Sequence, residues 1–325
     1  MELLVVITII AVLAAVSIPQ VIGVIQRAQD VAIRTSMRVM LTEATRISIL
    51  EGDLSRIHCN TGGHPDILVI CDTVRAHSPH PAQLRSSATS RTFWIRAPLH
   101  DGTFWRVDHT GFAGRDLAGY VARWDMDEGS DQVVGDATGT NPGTRGPTTT
   151  LEPQDPTWAV GYLTFDGAND FIQVPDSASL DIAGNTITME AWVRPAANVA
   201  EGMIINKDGS YQIALHNSVF RAAIETVAAG AWGWGGSQAV SLNVWSHLVF
   251  VYDGTNWNFY INGVLRETIP PVGGQTGNIL PSVYVLKISN RVWIPSHFNG
   301  SVDNVRIYNR ALTAEEVRIS FLRGR

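Results

Sequence analysis

The feature that most constrains this chain is its first stretch, Met1-Glu-Leu-Leu-Val-Val-Ile-Thr-Ile-Ile-Ala-Val-Leu-Ala-Ala-Val-Ser-Ile-Pro-Gln20. No charged residue stands between Glu2 and Arg27, and apolar positions run all round any helix the stretch could form. A helix without a polar face has to be buried on every side, either in lipid or in a bundle of its own kind. Residues 1–26 are long enough to span a bilayer. Glu2 is the anomaly, because a carboxylate in hydrocarbon costs about 3 kcal/mol unless a partner cation neutralises it. Pro19, four residues before Gly23, removes a backbone hydrogen bond and marks a kink or weak point.

From Val21 to about Leu50 the pattern turns amphipathic. Val24, Val31, Met37, Met40, Leu41, Ile47 and Leu50 recur at helical spacings, with Arg27, Asp30, Arg34, Arg38, Glu43 and Arg46 available for the other side. A helix over residues 1–52 would be about 75 Å long at 1.5 Å per residue. Its first half has to project, whereas its second half can pack against a head.

Glu2-Leu-Leu-Val-Val-Ile, Ile9-Ile-Ala-Val-Leu-Ala-Ala and Ile18-Pro19-Gln20 together resemble the N-terminus of type IV pilins and of the pseudopilins of type II secretion. The resemblance implies a segment that waits in the inner membrane as an anchor and then packs into the core of a helical filament. It assigns Glu2 to pairing with the N-terminal amine of a neighbouring subunit, and Pro19 and Gly23 to local unwinding during assembly. Members of that family carry a basic leader and a few mature residues before the glutamate. Met1 stands directly before Glu2 here, so the resemblance implies that these lie upstream of the sequence given.

Residues 53–117 are expected to form a small head. Glu51-Gly52-Asp53 ends the helix, and Cys59 and Cys71 follow with eleven residues between them. In the oxidising compartment of an exported protein such a pair closes a disulfide loop. The other reading is a metal site drawing on His58 and His64 beside Cys59, although no paired ligand spacing accompanies them. The polar stretch from Ala76 to Arg91 shows little periodicity. Thr92-Phe-Trp-Ile-Arg-Ala and Thr103-Phe-Trp-Arg-Val-Asp then flank Asp101-Gly102, a hairpin signal. His77, His80, His100 and His109 have no ligand-like spacing and read as surface residues.

Beyond residue 118 short β-prone runs alternate with Gly, Asn and Asp turns. Examples are Gly161–Phe165, Phe171–Val174, Ile187–Val193, Met203–Asn206, Tyr211–Leu215, Trp245–Tyr252 and Trp257–Ile261. So many strands without an intervening helical pattern predict a two-sheet sandwich over residues 118–325. The fold class is therefore α+β: a long hydrophobic helix, a small β head and an all-β sandwich. Thr313, with Glu316 three residues later, predicts a short capped helix at the end.

Val121-Ala-Arg-Trp-Asp-Met-Asp-Glu-Gly, Leu163-Thr-Phe-Asp-Gly-Ala-Asn-Asp-Phe-Ile-Gln-Val, Thr188-Met-Glu-Ala-Trp-Val, Val244-Trp-Ser-His-Leu-Val-Phe-Val-Tyr-Asp-Gly, Phe259-Tyr-Ile-Asn-Gly and Gly300-Ser-Val-Asp-Asn-Val-Arg-Ile-Tyr-Asn-Arg-Ala-Leu resemble the laminin-G-like, concanavalin A-like jelly roll. In that family, aspartates at positions like Asp166 and Asp303 often share a structural calcium. Asp170 lies in the same turn as Asp166 and adds a third hard oxygen ligand. Turns also favour aspartate for backbone hydrogen bonds alone.

Ala231-Trp-Gly-Trp-Gly-Gly places Trp232 and Trp234 in a glycine-rich segment read as a loop. Exposed aromatic faces there suit sugar rings or a partner's apolar surface. The alternative is that they close over the sandwich's own core. Glu190 is alone in its strand, so the paired carboxylates of a glycosidase are missing, and no Gly-x-Ser-x-Gly turn occurs. The chain is not expected to be an enzyme. Its 24 basic and 30 acidic residues give a formal charge of −6. Residues 118–325 carry 13 of the basic and 20 of the acidic ones, which argues against nucleic acid as a partner.

These readings converge on a structural subunit of an extracellular type IV pilus-like filament on a bacterial surface, held in the inner membrane before assembly. Its partners would be copies of itself, the pilus or secretion machinery, and surface glycans. The alternatives are a minor pilin or pseudopilin of a type II secretion-like system, and a membrane-anchored lectin that does not polymerise.

Overall fold

The computed structural model describes residues 2–79, 81–88, 93–99, 104–108, 113–116, 119–153, 155–228 and 233–324, with side chains throughout except at 2–21, 23, 83, 87, 94, 104, 108 and 113–116. The chain divides into two compact units, Met1–Ala118 and Gly119–Arg325.

In the first unit α1 (Glu2–Glu51) is one helix of 50 residues, continuous through Pro19 and Gly23. Gly52, at φ +68°, ends it in the left-handed conformation that glycine adopts without strain. Ile33, Met37, Met40, Ala44 and Ile47 are buried, and their alternating four- and three-residue steps make one stripe along the helix. The stripe differs from the expected one. Val24, Val31 and Leu50 are exposed, whereas Asp30 is buried. The side chains of Glu2, Pro19 and most of the expected anchor are not among those described. Among the described residues, no helix is long and apolar enough to cross a membrane.

Against the stripe pack α2 (Pro65–His77) and an antiparallel meander of β1 (Arg85–Ala88), β2 (Phe93–Pro98), β3 (Phe104–Asp108) and β4 (Ala113–Asp116). The β2–β3 hairpin forms with Pro98 opposite Phe104, and its Asp101-Gly102 turn lies outside the described residues. The sequence reading did not anticipate α2. Pro65 occupies its first turn, His64 Nδ1 accepts the Asp66 N–H at 3.3 Å, and Ile67, Cys71 and Val74 form its buried side. Cys71 is bonded to Cys59, which takes both sulfurs out of any metal site. His58 meanwhile accepts the Asn60 N–H through Nδ1.

The second unit is a sandwich. Its strands are β5 (Tyr120–Trp124), β6 (Val133–Val134), β7 (Gly143–Arg145), β8 (Thr157–Ala159), β9 (Tyr162–Asp166), β10 (Ile172–Val174), β11 (Ile187–Pro195), β12 (Gly202–Lys207), β13 (Tyr211–His216), β14 (Val219–Ile224), β15 (Gly235–Ala239), β16 (Ser246–Tyr252), β17 (Trp257–Ile261), β18 (Val264–Ile269), β19 (Leu286–Ile288) and β20 (Asn299–Tyr308). One sheet runs β18-β17-β16-β11-β20-β9-β8, with β5 also paired to β20; the other runs β15-β14-β13-β12-β19-β10-β7-β6. Their facing sides supply alternate strand residues to one core, including Trp124, Phe165, Met189, Ile213, Phe250 and Ile307. The segment after Trp234 is not a loop throughout. Gly235 and Gly236 begin β15, where a Cβ on Gly236 would stand 2.4 Å from the Phe220 carbonyl oxygen. These glycines permit close packing and are not there for flexibility. The closing helix α3 (Ala314–Leu322) has the expected capping box between Thr313 and Glu316.

Candidate functional site

Each sheet has an outer side, and the two are built for different tasks. On the first sheet Glu190 of β11 has no exposed surface. Its Oε1 accepts from Arg306 Nη1 at 2.6 Å, Ser320 Oγ at 2.9 Å and Tyr308 OH at 3.1 Å. Burial alone would push the Glu190 carboxyl up, but Arg306 and His247 outweigh it and hold the group well below the usual carboxylate range. Trp192 packs against His247 and stacks on Phe321 of α3, with centroids 5.2 and 5.6 Å apart. This side is covered by α3, whose Ser320 donates to Glu190 and whose Phe321 stacks on Trp192.

The outer side of the second sheet carries polar side chains in one register row. Gln212 on β13 stands opposite Asn206 on β12, Asn206 opposite Lys287 on β19, and Lys287 opposite Gln173 on β10. Their strand neighbours Tyr211, Ile213, Leu286, Ile288, Ile172 and Val174 all belong to the core, so the row faces away from it. Asn206 Nδ2 donates to Gln212 Oε1 at 2.7 Å, which fixes the amide. Asn206 Oδ1, Ser210 Oγ and Asp208 Oδ2 are buried and have no hydrogen-bond partner among the described residues. The Lys287 ammonium lies 4.5 Å from the Phe171 ring centroid. Burial lowers the Lys287 pKa, and the Asp208 carboxylate opposes that shift. Glu225, whose N–H donates to the Ser210 carbonyl at 2.7 Å, is pushed up by burial and then by Asp208.

The turn that follows β12 leads to an aromatic pair. Gly209, at φ +74°, shapes the turn between Asp208 and Ser210, and a Cβ there would lie 3.9 Å from Tyr284 Cδ2. Trp293 meets Tyr284 edge-on, with centroids 5.5 Å apart, and is 67% exposed. The buried Lys207 anchors the pair by donating to the Tyr284 carbonyl at 2.7 Å while ion-paired with Asp176. Tyr284 and Trp293 went unnoticed in the sequence because neither belongs to a glycine-rich or repeated motif.

Of the residues singled out from sequence, Trp234 is half-buried, with its ring centroid 4.4 Å from that of His216 and its carbonyl accepting from Arg221 Nη2 at 2.9 Å. Trp232 lies outside the described residues. The three aspartates are not brought together. Asp166 Oδ1 accepts the Ala168 and Asn169 N–H groups at 2.7 and 3.2 Å, and Asp170 Oδ2 accepts the Asp166 N–H at 2.8 Å. Asp166 pairs with Asn299 of β20, whereas Asp303 lies four residues further along that strand opposite Trp192, about 13 Å away at strand rise. Among the described residues, no three His, Cys, Asp or Glu side chains are grouped to hold a metal ion.

Residues 166–318 match a laminin G family model described as the concanavalin A-like lectin/glucanases superfamily. The second unit is a laminin-G-like, concanavalin A-like jelly roll. Solved structures similar to it include the binding domain of botulinum neurotoxin serotype G, at 16% identity and TM-score 0.48, covering 62% of this chain and 50% of the toxin domain. Domain 4 of AbnA, an extracellular arabinanase from Geobacillus stearothermophilus solved with arabinotriose, is similar at 22% identity and TM-score 0.49, covering 63% of this chain and 98% of that domain. The binding domain of Paraclostridial Mosquitocidal Protein 1 is similar at 16% identity and TM-score 0.49, covering 62% of this chain and 52% of its own. This chain thus spans about half the length of either toxin domain.

Proposed function

We propose that the chain is an exported filament subunit which polymerises through α1 and displays its jelly roll outside the fibre as a glycan-contacting module. One observation carries this reading. The described side chains of α1 bury one stripe in the head, with Ile33, Met37, Met40, Ala44 and Ile47 at 0–1% exposure, and leave apolar side chains uncovered elsewhere on the helix. Ile22, Val24 and Ile25 are 48%, 59% and 51% exposed. Apolar helix surface of this kind is stabilised by burial against copies of itself, at roughly 25 cal/mol per Å². In this reading residues 1–26 sit in the inner membrane before assembly, and Glu2 is neutralised by a neighbouring subunit. The module acts by binding and not by catalysis.

The test is cryo-electron microscopy of fibres sheared from cells that express the chain. A core of packed helices whose side chains fit residues 1–50, with jelly rolls outside, is the expected result. Finding the chain with the inner membrane and in no fibre would overturn the structural-subunit role, leaving a secretion component or an anchored lectin.

A further inference from the structure

We infer that the outer side of the first sheet, beyond the part covered by α3, carries a site for a single carboxylate presented by an acidic peptide, centred on Arg194. The inference stands on the geometry of the jelly roll alone and needs neither a fibre nor a glycan.

The site is a row of side chains fixed by sheet register. Arg194 on β11 stands opposite Ser301 on β20, Ser301 opposite Thr164 on β9, and Thr164 opposite Thr157 on the edge strand β8. Val193, Val302 and Leu163, their neighbours in sequence, belong to the core, so the row faces away from it. Arg194, Thr164, Tyr162 and Trp245 are half-buried and Thr157 is exposed, which leaves the row open to solvent. The Arg194 guanidinium carbon lies 5.4 Å from the ring centroids of both Tyr162 and Trp245, and those two rings meet edge to face with centroids 5.3 Å apart. Two aromatic rings thus brace one planar cation. Its Nη2 donates to Tyr162 OH at 3.3 Å and to Ser301 Oγ at 3.2 Å, both neutral oxygens, while Nε and Nη1 donate to nothing among the described residues. Asp166 and Asp303, two positions along from Thr164 and Ser301, are engaged elsewhere. Asp166 accepts N–H groups of its own turn, and Asp303 accepts from Asn304 Nδ2 at 3.2 Å.

Three points select the ligand. A cation held partly out of water, with no ion pair among the described residues, calls for an anion, and a carboxylate takes the charge-assisted bonds that a guanidinium offers. The row supplies one cation and otherwise hydroxyls, and residues 118–325 carry 13 basic against 20 acidic side chains. Such a field disfavours phosphate and polyanions more than it disfavours one carboxylate. The two rings, finally, give the methylenes of a glutamate an apolar surface to lie on.

The experiment is titration of the purified full chain with an acetylated and amidated Gly-Glu-Gly peptide, whose only carboxylate is its side chain, and with the neutral Gly-Gln-Gly counterpart. Tryptophan fluorescence and calorimetry follow the binding. The Glu peptide is expected to bind with a Kd on the order of millimolar, about tenfold more tightly than the Gln peptide. Arg194→Gln should abolish that preference, and Arg266→Gln, which removes an exposed arginine of β18, should leave it unchanged. Equal binding of the two peptides, binding of neither, or a preference that survives Arg194→Gln would overturn the site. Inorganic phosphate bound more tightly than the Glu peptide would overturn the choice of a carboxylate. Should Arg194→Gln fail to fold, Arg194→Lys keeps the charge without the planar fork and is expected to weaken the Glu peptide about tenfold; unchanged binding there overturns the site. A peptide preference with no fibres removes the subunit role alone, and fibres with no preference remove this site alone.

Discussion

Glu190 and Arg306 lie opposite one another on β11 and β20, both almost fully buried, and each charge is tolerated there because of the other. Removing one partner leaves an uncompensated buried ion, so Glu190→Ala is expected to cost about 3–5 kcal/mol in urea unfolding of the jelly roll. The pair also fixes a pH dependence. Because the folded carboxyl ionises well below its unfolded value of about 4.3, its contribution is complete above that value and is lost as pH falls toward the folded one. Glu316, held down by Arg310 and the Thr313 N–H against its burial, acts in the same direction. As pH falls below about 4.3, melting of the jelly roll should therefore drop less steeply in Glu190→Gln than in the parent. A melting curve for Glu190→Gln as steep in acid as the parent's would refute the assignment. The sequence shows Glu190 as the lone acid of its strand. It could not show Arg306 as the partner, because the two are 116 residues apart and only the sheet register joins them.

Among the elements, those written in local chemistry were legible and those written in tertiary contacts were not. The α3 cap could be read because Thr313 and Glu316 satisfy each other's backbone N–H groups within one turn. Helix α2 carries comparable signals in His64, Pro65 and the spacing of Ile67, Cys71 and Val74, but the cysteines drew the reading toward a loop. Gly235 and Gly236 were misread for the opposite reason. Their role depends on Trp257, Phe259 and the Phe220 carbonyl, which reach them from other strands. Since Cys71 is on α2, the disulfide ties that helix to the segment leaving α1 and restricts the unfolded head. The paired change Cys59→Ser and Cys71→Ser should lower the stability of the head by about 2–4 kcal/mol. Thermal unfolding followed by circular dichroism, with and without dithiothreitol, would check this. Reductant that leaves the parent's head transition unmoved would contradict it.

For the molecule as a whole, the decisive fact is that each unit has its own closed core. Ile33, Met37, Ile57, Cys71 and Val107 belong to one cluster, whereas Trp124, Met189, Ile213, Phe250 and Ile307 belong to another. The matched family region, residues 166–318, lies wholly within the second unit. A unit that buries its own apolar surface and closes with its own capped helix has what it needs to unfold cooperatively alone. Two calorimetric transitions are therefore expected for the full chain. Reductant should lower the one belonging to the head, and moderate acid should lower the one belonging to the jelly roll. A fragment of residues 119–325 should melt within a few degrees of the jelly-roll transition in the parent. One merged transition in the full chain, or a fragment that fails to fold, would show that the cores depend on each other. The display reading would then need a module whose stability is set by the helix that anchors it.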